Sequence, residues 1–400
     1  MKYPLLIILM LSSHFSEAQK KLQFIDKVYE SQIKTVQLFP DLSIEFDDLQ
    51  ENRNNYYAKL IHCNFDWTKS DLHDLDFLEE YNEFTLNEYA ISTNIYPAYV
   101  HYRFQIPSVK IPGNYLLILY RDGDKSDIIL SRRFFVVDNK ITLQTENTFV
   151  GAGTLSTSNQ QLNFVLDYGN IEILNPLESV HVAVRQNQRW DNARMDVKPS
   201  FVRDDRKELE YRFFEQDKHF TAGNEFRFVD FRSLNFPGEN TGKLDRSVKP
   251  FQLTVQHDKA RTHQAYGQYS DLNGGYRIEN LDYGEAAVSG NYIETLFSLS
   301  APTQINGDVY VIGSFNNWIR EDENRMTYNS TKQMYEATLY LKQGLYNYVY
   351  SIESPQLSPD YFEGSHYETE NIYEVMVYYR PFRPNADLLI GYFVLPVNPR

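Results

Sequence analysis

The sequence predicts an all-β protein built from two to three β-sandwich domains in tandem. The chain of 400 residues holds 31 Tyr and 26 Phe, and aromatic residues make up 15% of it. These residue types favour the pleated, half-buried surface of a β-sheet over a helix. Short apolar or alternating runs of strand length recur between clusters of turn-forming residues. The length exceeds the roughly 100 to 200 residues of one domain, so more than one core is expected.

The first unit, residues 19–145, is predicted to be an immunoglobulin-like sandwich, whereas the second, residues 146–300, is predicted to be a β-rich domain. Its predicted strands are Ile33–Phe39, Tyr56–Cys63, Tyr99–Phe104, Tyr115–Tyr120 and Arg132–Val137. An Asp-Gly pair, Asp122-Gly123, accepts the positive φ angles of a type I′ hairpin turn. One stretch, Asp71–Glu80, has leucines three residues apart and Ser70 as a candidate N-cap, so a helix is predicted there.

The second unit, residues 146–300, opens with a polar stretch at Gly151–Gln160 that favours a domain boundary. Its predicted strands are Leu162–Leu166, Val180–Arg185, Glu210–Phe214, Glu225–Phe231 and Phe251–Gln256. Asn273-Gly274 is predicted to close a hairpin before a further strand.

The third unit, residues 301–400, is predicted to be a smaller sandwich. Its predicted strands are Asp308–Ile312, Met334–Leu341, Leu345–Ile352 and Tyr373–Tyr379. The period of two residues places Tyr346, Tyr348 and Tyr350 on one face of a strand. Lys342-Gln343-Gly344 is predicted to be a tight turn in which the glycine adopts a left-handed conformation.

Residues 1–18 are a predicted secretory signal peptide. Lys2 precedes the apolar run Pro4–Leu11, and Ala18 ends a polar segment, so we expect cleavage before Gln19. This run is much shorter than the roughly 20 residues that cross a bilayer. We therefore expect a soluble exported protein without direct membrane insertion. Cys63 is the only cysteine, which excludes an intramolecular disulfide.

Charge and motifs argue against several classes of function. The formal net charge of −15 disfavours binding to nucleic acid or to anionic membranes. The phosphate-binding loop, the zinc-protease motif and the nucleophile elbow do not occur in the sequence. The histidines of the mature chain are scattered, without the spacing that would suit one metal ion. We predict no catalytic, metal-binding or cofactor-binding residues, and hence a protein that is not an enzyme.

Three aromatic residues are the candidate partner-interface residues. Trp190 lies in the polar segment Gln186–Asp191, and Phe315 and Trp318 lie in the segment Gly313–Trp318. Large aromatic side chains contribute most per residue to protein interfaces, but they also fill cores. Packing inside the protein and contact with a partner are both compatible with these patterns.

The segment Gly313–Trp318, followed by the run Lys342–Tyr348, resembles the early-set immunoglobulin-like domain attached to glycogen-active enzymes. This resemblance covers about 100 residues and implies a fold. It implies glycan binding only through the aromatic segment.

A wider set of motifs, in one order along the mature chain, resembles the plug protein family of the Bacteroidetes type IX secretion system. These motifs are His62–Trp67, Tyr99–Arg103, Gly113–Tyr115, Arg132–Phe134, Gln186–Asp191, Lys198–Phe201 and Lys342–Tyr350. The resemblance implies a periplasmic protein that seals the periplasmic mouth of the outer-membrane translocon barrel when no cargo is present. It also implies the barrel as partner, and we expect a monomer within that hetero-complex. Pro112 stands where the family is expected to have serine.

The alternative interpretation is a glycan-binding protein of the periplasm or cell surface, suggested by the many aromatics. Retention on a polysaccharide affinity gel would distinguish it from the plug. A hydrolase with a diffuse active site is the third class considered.

Overall fold

The chain is mostly β, as the sequence predicts. The computed structural model describes residues 22–50, 52–145, 157–212 and 219–399, with 44% strand and 5% helix. The predicted signal peptide, residues 1–18, lies outside the described residues, as does most of the predicted boundary at 151–160.

The strands are numbered in chain order through the described residues. The first ten are β1 (Lys27–Val28), β2 (Ile33–Leu38), β3 (Ser43–Asp48), β4 (Tyr56–Cys63), β5 (Phe84–Thr85), β6 (Glu88–Ile91), β7 (Val100–Gln105), β8 (Gly113–Arg121), β9 (Ile128–Val136) and β10 (Thr142–Thr145). The next ten are β11 (Asn159–Gln160), β12 (Asn163–Asp167), β13 (Val180–Gln186), β14 (Phe201–Arg203), β15 (Glu208–Arg212), β16 (Phe220–Thr221), β17 (Arg227–Asp230), β18 (Thr241–Asp245), β19 (Phe251–Val255) and β20 (Asp258–Lys259). The last eight are β21 (Tyr276–Ile278), β22 (Tyr292–Ser300), β23 (Asp308–Ile312), β24 (Arg325–Asn329), β25 (Met334–Lys342), β26 (Gly344–Glu353), β27 (Asn371–Tyr379) and β28 (Leu388–Val397).

Helical structure is confined to single turns in the described part of the chain. These turns are α1 (Asp74–Phe77), α2 (Pro176–Ser179), α3 (Ala286–Ser289) and two 3-10 turns at Ser314–Asn316 and Asp322–Asn324. The helix predicted at Asp71–Glu80 is thus only one turn long, because Leu78 already has extended backbone angles.

Two sheets form the first unit and share one hydrophobic core. Their strand orders are β1-β9-β8-β4-β5 and β2-β3-β7-β6. Alternation buries Tyr56, Ala58 and Leu60 from β4 and Leu117 and Leu119 from β8 between the sheets. The predicted turn at Asp122-Gly123 is confirmed: both residues have positive φ angles, and they connect the paired strands β8 and β9.

The second unit of the structure differs from the predicted unit 146–300, because it combines strands from the middle and the end of the chain. One sheet has the order β10-β12-β15-β14, and the facing sheet has the order β13-β27-β28. Seven residues of β13, from Val180 to Gln186, pair with β27. Val182 and Val184 therefore share a core with Val375 and Val377, which lie almost 200 residues later in the sequence.

The third unit of the structure, called the barrel below, differs from the predicted unit 301–400. It is a nearly closed, barrel-like sheet. Its strand order is β17-β26-β23-β24-β25-β22-β19-β18, with β20 joined to β22 and β21 to β26. The sequence predicted a sandwich for residues 301–400, but an immunoglobulin-like sandwich is not shown there: β23 to β26 belong to the barrel-like sheet, and β27 and β28 pair in the sheet of β13. The tyrosine face is confirmed: Tyr346, Tyr348 and Tyr350 are all buried in the barrel core.

Two predicted turns differ from expectation. Asn273 and Gly274 have the positive φ angles of a turn, but the following strand β21 pairs with β26 rather than with a preceding strand. Strands β25 and β26 pair with other strands, not with each other, so the segment at Gly344 is a corner and not a hairpin turn. Gly344 is required there because an added Cβ would lie 2.5 Å from the carbonyl oxygen of Arg277.

Hydrogen bonding crosses the domain bounds predicted from the sequence. Strand β22, before residue 300, pairs with β25 over nine residues, and β27 returns to β13. Because a shared sheet does not by itself fix where a folding unit ends, the division at residues 145 and 300 stays a prediction.

A truncation tests this arrangement. We expect a chain that ends after Tyr367 to lose the structure of residues 157–212, because β27 supplies the neighbour of β13 and, together with β28, six of the 18 buried residues of the shared core. Limited proteolysis with mass spectrometry would show new cleavage in that region. A chain that ends after Val397 is the control and should resist cleavage. Full protection of residues 157–212 in the shorter chain would contradict the interleaved arrangement.

Candidate interface site

The segment Gln186–Asp191, called the junction loop below, lies where the three units meet. It begins at the end of β13, and left-handed backbone at Asn187 and Gln188 turns the chain away from the sheet. The Asn187 amide donates to Asn371 Oδ1 at 2.7 Å, and its own Oδ1 accepts from the Ile372 backbone at 2.8 Å. The start of the junction loop is therefore fixed to the beginning of β27.

Trp190 packs against the first unit. Its ring meets the Trp67 ring edge-on at 5.0 Å. The guanidinium of Arg185 lies 4.3 Å from the Trp190 ring, and that of Arg133 lies 4.8 Å away. Cations this close to an indole face are attracted by the negative charge of the ring. Trp190 thus joins β9 of the first unit to β13 of the second.

Both cations have acidic partners that offset their charge. Arg133 donates to Asp26 at 2.9 Å, and Arg185 donates to Glu374 at 2.6 Å. Burial acts to raise the pKa of the Asp26 carboxyl, but the neighbouring Arg133 outweighs this effect together with Arg132, so the pKa is lowered. The aromatic contact at Trp190 is therefore surrounded by paired, not isolated, charges.

Trp318 is buried, with 4% of its surface exposed, among Phe226, Tyr310 and Ile312. The neighbouring residue in the junction loop, Arg189, places its guanidinium 4.3 Å from the Trp318 ring. One loop thus contacts the first unit through Trp190 and the barrel through Arg189.

The turn beside Trp318 requires a glycine at position 274. Its φ angle is +81°, and an added Cβ would lie 2.4 Å from the Trp318 ring. The turn and the tryptophan therefore constrain each other.

Phe315 is half-buried at the edge of the barrel. Its ring contacts Tyr346 edge-on at 5.6 Å, and it lines a cleft between the barrel and the first unit. The structure thus brings Trp190 and Trp318 to the two sides of the junction loop and leaves Phe315 at a separate cleft. A role of Trp190, Phe315 and Trp318 in binding a partner stays a prediction.

Other large apolar side chains are more exposed than these three. Leu281, Tyr283 and Phe236 are 59%, 70% and 75% exposed on neighbouring loops of the barrel, and Phe382 is 89% exposed after β27. Sequence reasoning missed them because each stands alone in a polar segment, without a periodic pattern.

A buried group of charges, here called the polar bridge, joins the first unit to the barrel. Lys342 Nζ lies 2.7 Å from Asp47 Oδ2, and the two side chains are 2% and 1% exposed. The Tyr292 hydroxyl donates to the same oxygen at 2.6 Å. On the other oxygen, His101 Nδ1 lies 2.8 Å away. Asp47 thus has two partners from the barrel, Lys342 and Tyr292, and one from its own sheet, His101.

Charges within the polar bridge are balanced. Burial alone would lower the pKa of His101, but hydrogen bonds with Asp47 and Glu45 outweigh it and raise the pKa to about 9. The imidazole therefore carries its proton at neutral pH. Burial lowers the pKa of Lys342, while Asp47 acts in the opposite direction. Two cations, Lys342 and His101, face two carboxylates, Asp47 and Glu45.

These groups do not form a metal centre. No cluster of three or more His, Cys, Asp or Glu side chains with metal-binding geometry exists within the four described ranges. Over the same residues, no helix has the length and hydrophobicity to span a bilayer.

A double-mutant cycle tests the polar bridge. We expect Lys342→Met to lower the free energy of unfolding by about 3 to 5 kcal/mol, because Asp47 would stay buried without its main cation. In the double mutant Lys342→Met/Asp47→Asn, the loss of unfolding free energy should be smaller than the sum of the two single-mutant losses by about 1 to 3 kcal/mol. Urea unfolding measures each value.

The matched control for this cycle is Lys332→Met. Lys332 pairs with Glu336 at 2.8 Å but is 56% exposed, so the change should cost at most about 1 kcal/mol. Strictly additive costs for Lys342 and Asp47 would contradict a coupled bridge.

Comparison with known proteins relates the first unit to a family. Residues 19–138 match the family model described as "Type 9 secretion system plug protein 1st domain". No curated protein is significantly similar to the chain.

A solved structure is similar over most of the chain. It is a crystal structure of a hypothetical protein from Parabacteroides merdae ATCC 43184, with a TM-score of 0.87 and 27% sequence identity. The match covers 94% of this chain and 100% of that chain. The first unit is therefore similar to the first domain of type 9 secretion system plug proteins, within a fold shared with the Parabacteroides protein.

Proposed function

We propose that this chain is a periplasmic plug that binds and seals the periplasmic mouth of the outer-membrane type IX secretion translocon when no cargo is present. The observation that carries the proposal is the match of residues 19–138 to the first domain of type 9 secretion system plug proteins. The match begins at residue 19, the first residue of the predicted mature chain, in keeping with export to the periplasm.

The construction of the molecule supports this role. A plug must be a folded body that keeps its shape when one face meets a partner. Here Trp190 ties the second unit to the first, Arg189 ties the second unit to the barrel, and the pair Asp47–Lys342 ties the first unit to the barrel. Nothing in this role requires catalysis, and we propose a non-enzymatic protein without a cofactor.

The partner is proposed to be the translocon barrel, bound by one copy of this chain. A seal that must reopen for each cargo suits an interface of standard or smaller size, about 1,600 Å² or less, because larger and more apolar interfaces are typical of permanent complexes. The net charge of −15 keeps the protein away from anionic lipid, so contact with the barrel protein and not with the bilayer is expected.

A deletion strain tests the proposal. Removing the gene should make the outer membrane permeable to bulky antibiotics or dyes while secretion of cargo continues, since an empty barrel would stand open. Dye uptake and secreted protein are measured in the same cultures. Full-length protein should restore the barrier, and a version without residues 1–18 should not, because it would stay in the cytoplasm.

Unchanged permeability in the deletion strain would contradict the plug. Retention of the purified protein on a polysaccharide gel, together with that result, would favour the glycan-binding alternative.

A further inference from the structure

The polar bridge holds an amine and a carboxylate side by side in the interior of the protein. Lys342 ends β25 of the barrel, and Asp47 lies in β3 of the first unit, 295 residues away in sequence. Lys342 Nζ lies 2.7 Å from Asp47 Oδ2, and the two side chains are 2% and 1% exposed. The amine nitrogen is therefore next to the carboxyl carbon Cγ, to which Oδ2 is bonded, and both groups are shielded from solvent.

The surroundings of the amine are aromatic. Lys342 Nζ lies 4.4 Å from the centre of the Tyr99 ring and 5.9 Å from that of the Tyr292 ring. Both tyrosines are buried, and the backbone carbonyl of Ala287 accepts a hydrogen bond from Nζ at 2.9 Å. Burial lowers the pKa of Lys342, which shifts the side chain toward the neutral amine, the form that acts as a nucleophile.

Each oxygen of the Asp47 carboxylate has its own hydrogen-bond donor. Oδ2 accepts from the Tyr292 hydroxyl at 2.6 Å, and this hydroxyl is itself 2.6 Å from Thr35 Oγ1. Oδ1 lies 2.8 Å from Nδ1 of His101, whose imidazole carries its proton at neutral pH. Glu45 lies 3.6 Å from the other ring nitrogen. One oxygen thus faces a neutral donor, and the other faces an acid.

We propose that Lys342 and Asp47 form an amide cross-link, an isopeptide bond that joins the barrel to the first unit. Nζ attacks Cγ of Asp47, the bond from Cγ to Oδ1 breaks, and Oδ1 leaves as water. Two of the three ammonium protons leave with this oxygen and the third stays on the amide nitrogen, so the reaction needs no oxidant and no further reactant. The cross-link concerns the maturation of the fold and does not depend on the proposed sealing role.

Tyr292 and His101 touch the reacting carboxyl group and supply what the reaction requires. Negative charge develops on Oδ2 as Nζ adds to Cγ, and the Tyr292 hydroxyl donates to this oxygen. His101 gives its proton to Oδ1, which makes this oxygen a good leaving group. The imidazole regains its proton at the expense of the ammonium group, so it is unchanged at the end.

Burial and positioning both favour the amide over the ion pair. Two buried charges lose hydration that their mutual attraction only partly restores, whereas an amide carries no net charge. Groups held in contact react with effective concentrations of about 10⁵ to 10⁸ M. Lys342 and Asp47 are held in this way because each lies in a paired strand: β25 pairs with β22, and β3 pairs with β2 and β7.

Tryptic peptide mapping of the full mature chain by mass spectrometry tests the cross-link. Trypsin cleaves after Lys342 only if its amine is free. We expect the peptide 35–53, which contains Asp47, to be joined to the peptide 333–400, which contains an uncut Lys342. The mass of the joined peptide should equal the sum of the two masses less one water. Lys332 is the internal control, since it lies 2.8 Å from Glu336 but is 56% exposed, and it should remain cleavable.

Two variants separate the bond from the groups that promote it. Lys342→Met removes the nucleophile, so its digest should contain the peptide 35–53 alone. His101→Gln keeps both reacting groups but removes the acid, and cross-linking should slow by about 100-fold or more. Most of the freshly purified variant should then be uncross-linked. If either variant fails to fold, the digest of the unaltered chain decides.

Separate peptides 35–53 and 343–400 from the unaltered chain would overturn the proposal. A joined peptide that persists in Lys342→Met would also overturn it, because the bond would then involve another residue. Cross-linking at an unchanged rate in His101→Gln would contradict the mechanism. In the urea cycle, a cross-linked chain should show a coupling larger than that of an ion pair alone.

Discussion

The pairing of β27 with β13 and β28 is the constraint on which the architecture depends. The chain leaves the second unit after β16, builds the barrel and returns at β27. The outgoing and returning segments are tied to each other: Gly223 donates to Ser365 Oγ at 3.0 Å, and Thr369 donates to the Gly223 carbonyl at 2.9 Å. The barrel is thus held to the second unit at both of its ends, and these two units cannot separate as independent domains.

The first unit is held by two junctions of different chemistry. Contacts with the second unit include aromatic pairs, with Phe65 stacked on His181 at 4.1 Å and Phe135 against Tyr392 at 5.0 Å. Hydrogen bonds between uncharged groups accompany them, such as the one from the Tyr378 hydroxyl to Asn114 at 2.9 Å. Contacts with the barrel run through the polar bridge, with the cleft beside it. Buried aromatic rings stabilise a junction through the surface area that they bury. A buried ion pair stabilises it only when both charged partners are in place. The barrel side therefore depends on Asp47 and Lys342 being in place together.

Most strands could be predicted from the sequence because period-two burial is a local signal. Tyr56–Cys63 and Asp308–Ile312 form strands with the predicted bounds. Strand partners were not predictable in the same way: nothing in the pattern of Tyr373–Tyr379 shows that it pairs with β13. The sequence singled out the segment of the junction loop. The contacts of Trp190 with Trp67 and of Arg189 with Trp318 depend on tertiary structure and were not predictable from the sequence alone. Asp47, Lys342 and His101 were missed because each is an ordinary polar residue in sequence.

A protein that seals the translocon must bind the empty barrel and dissociate from the loaded one. Such exchange requires different affinities for the empty and the loaded barrel, since a ligand shifts an equilibrium only by its differential binding. The most direct measurement is quantitative mass spectrometry of translocon purified from cells with and without trapped cargo. We predict about one copy of this chain per barrel without cargo and its loss when cargo is bound. Translocon that never contains the chain, or equal amounts in both states, would contradict it.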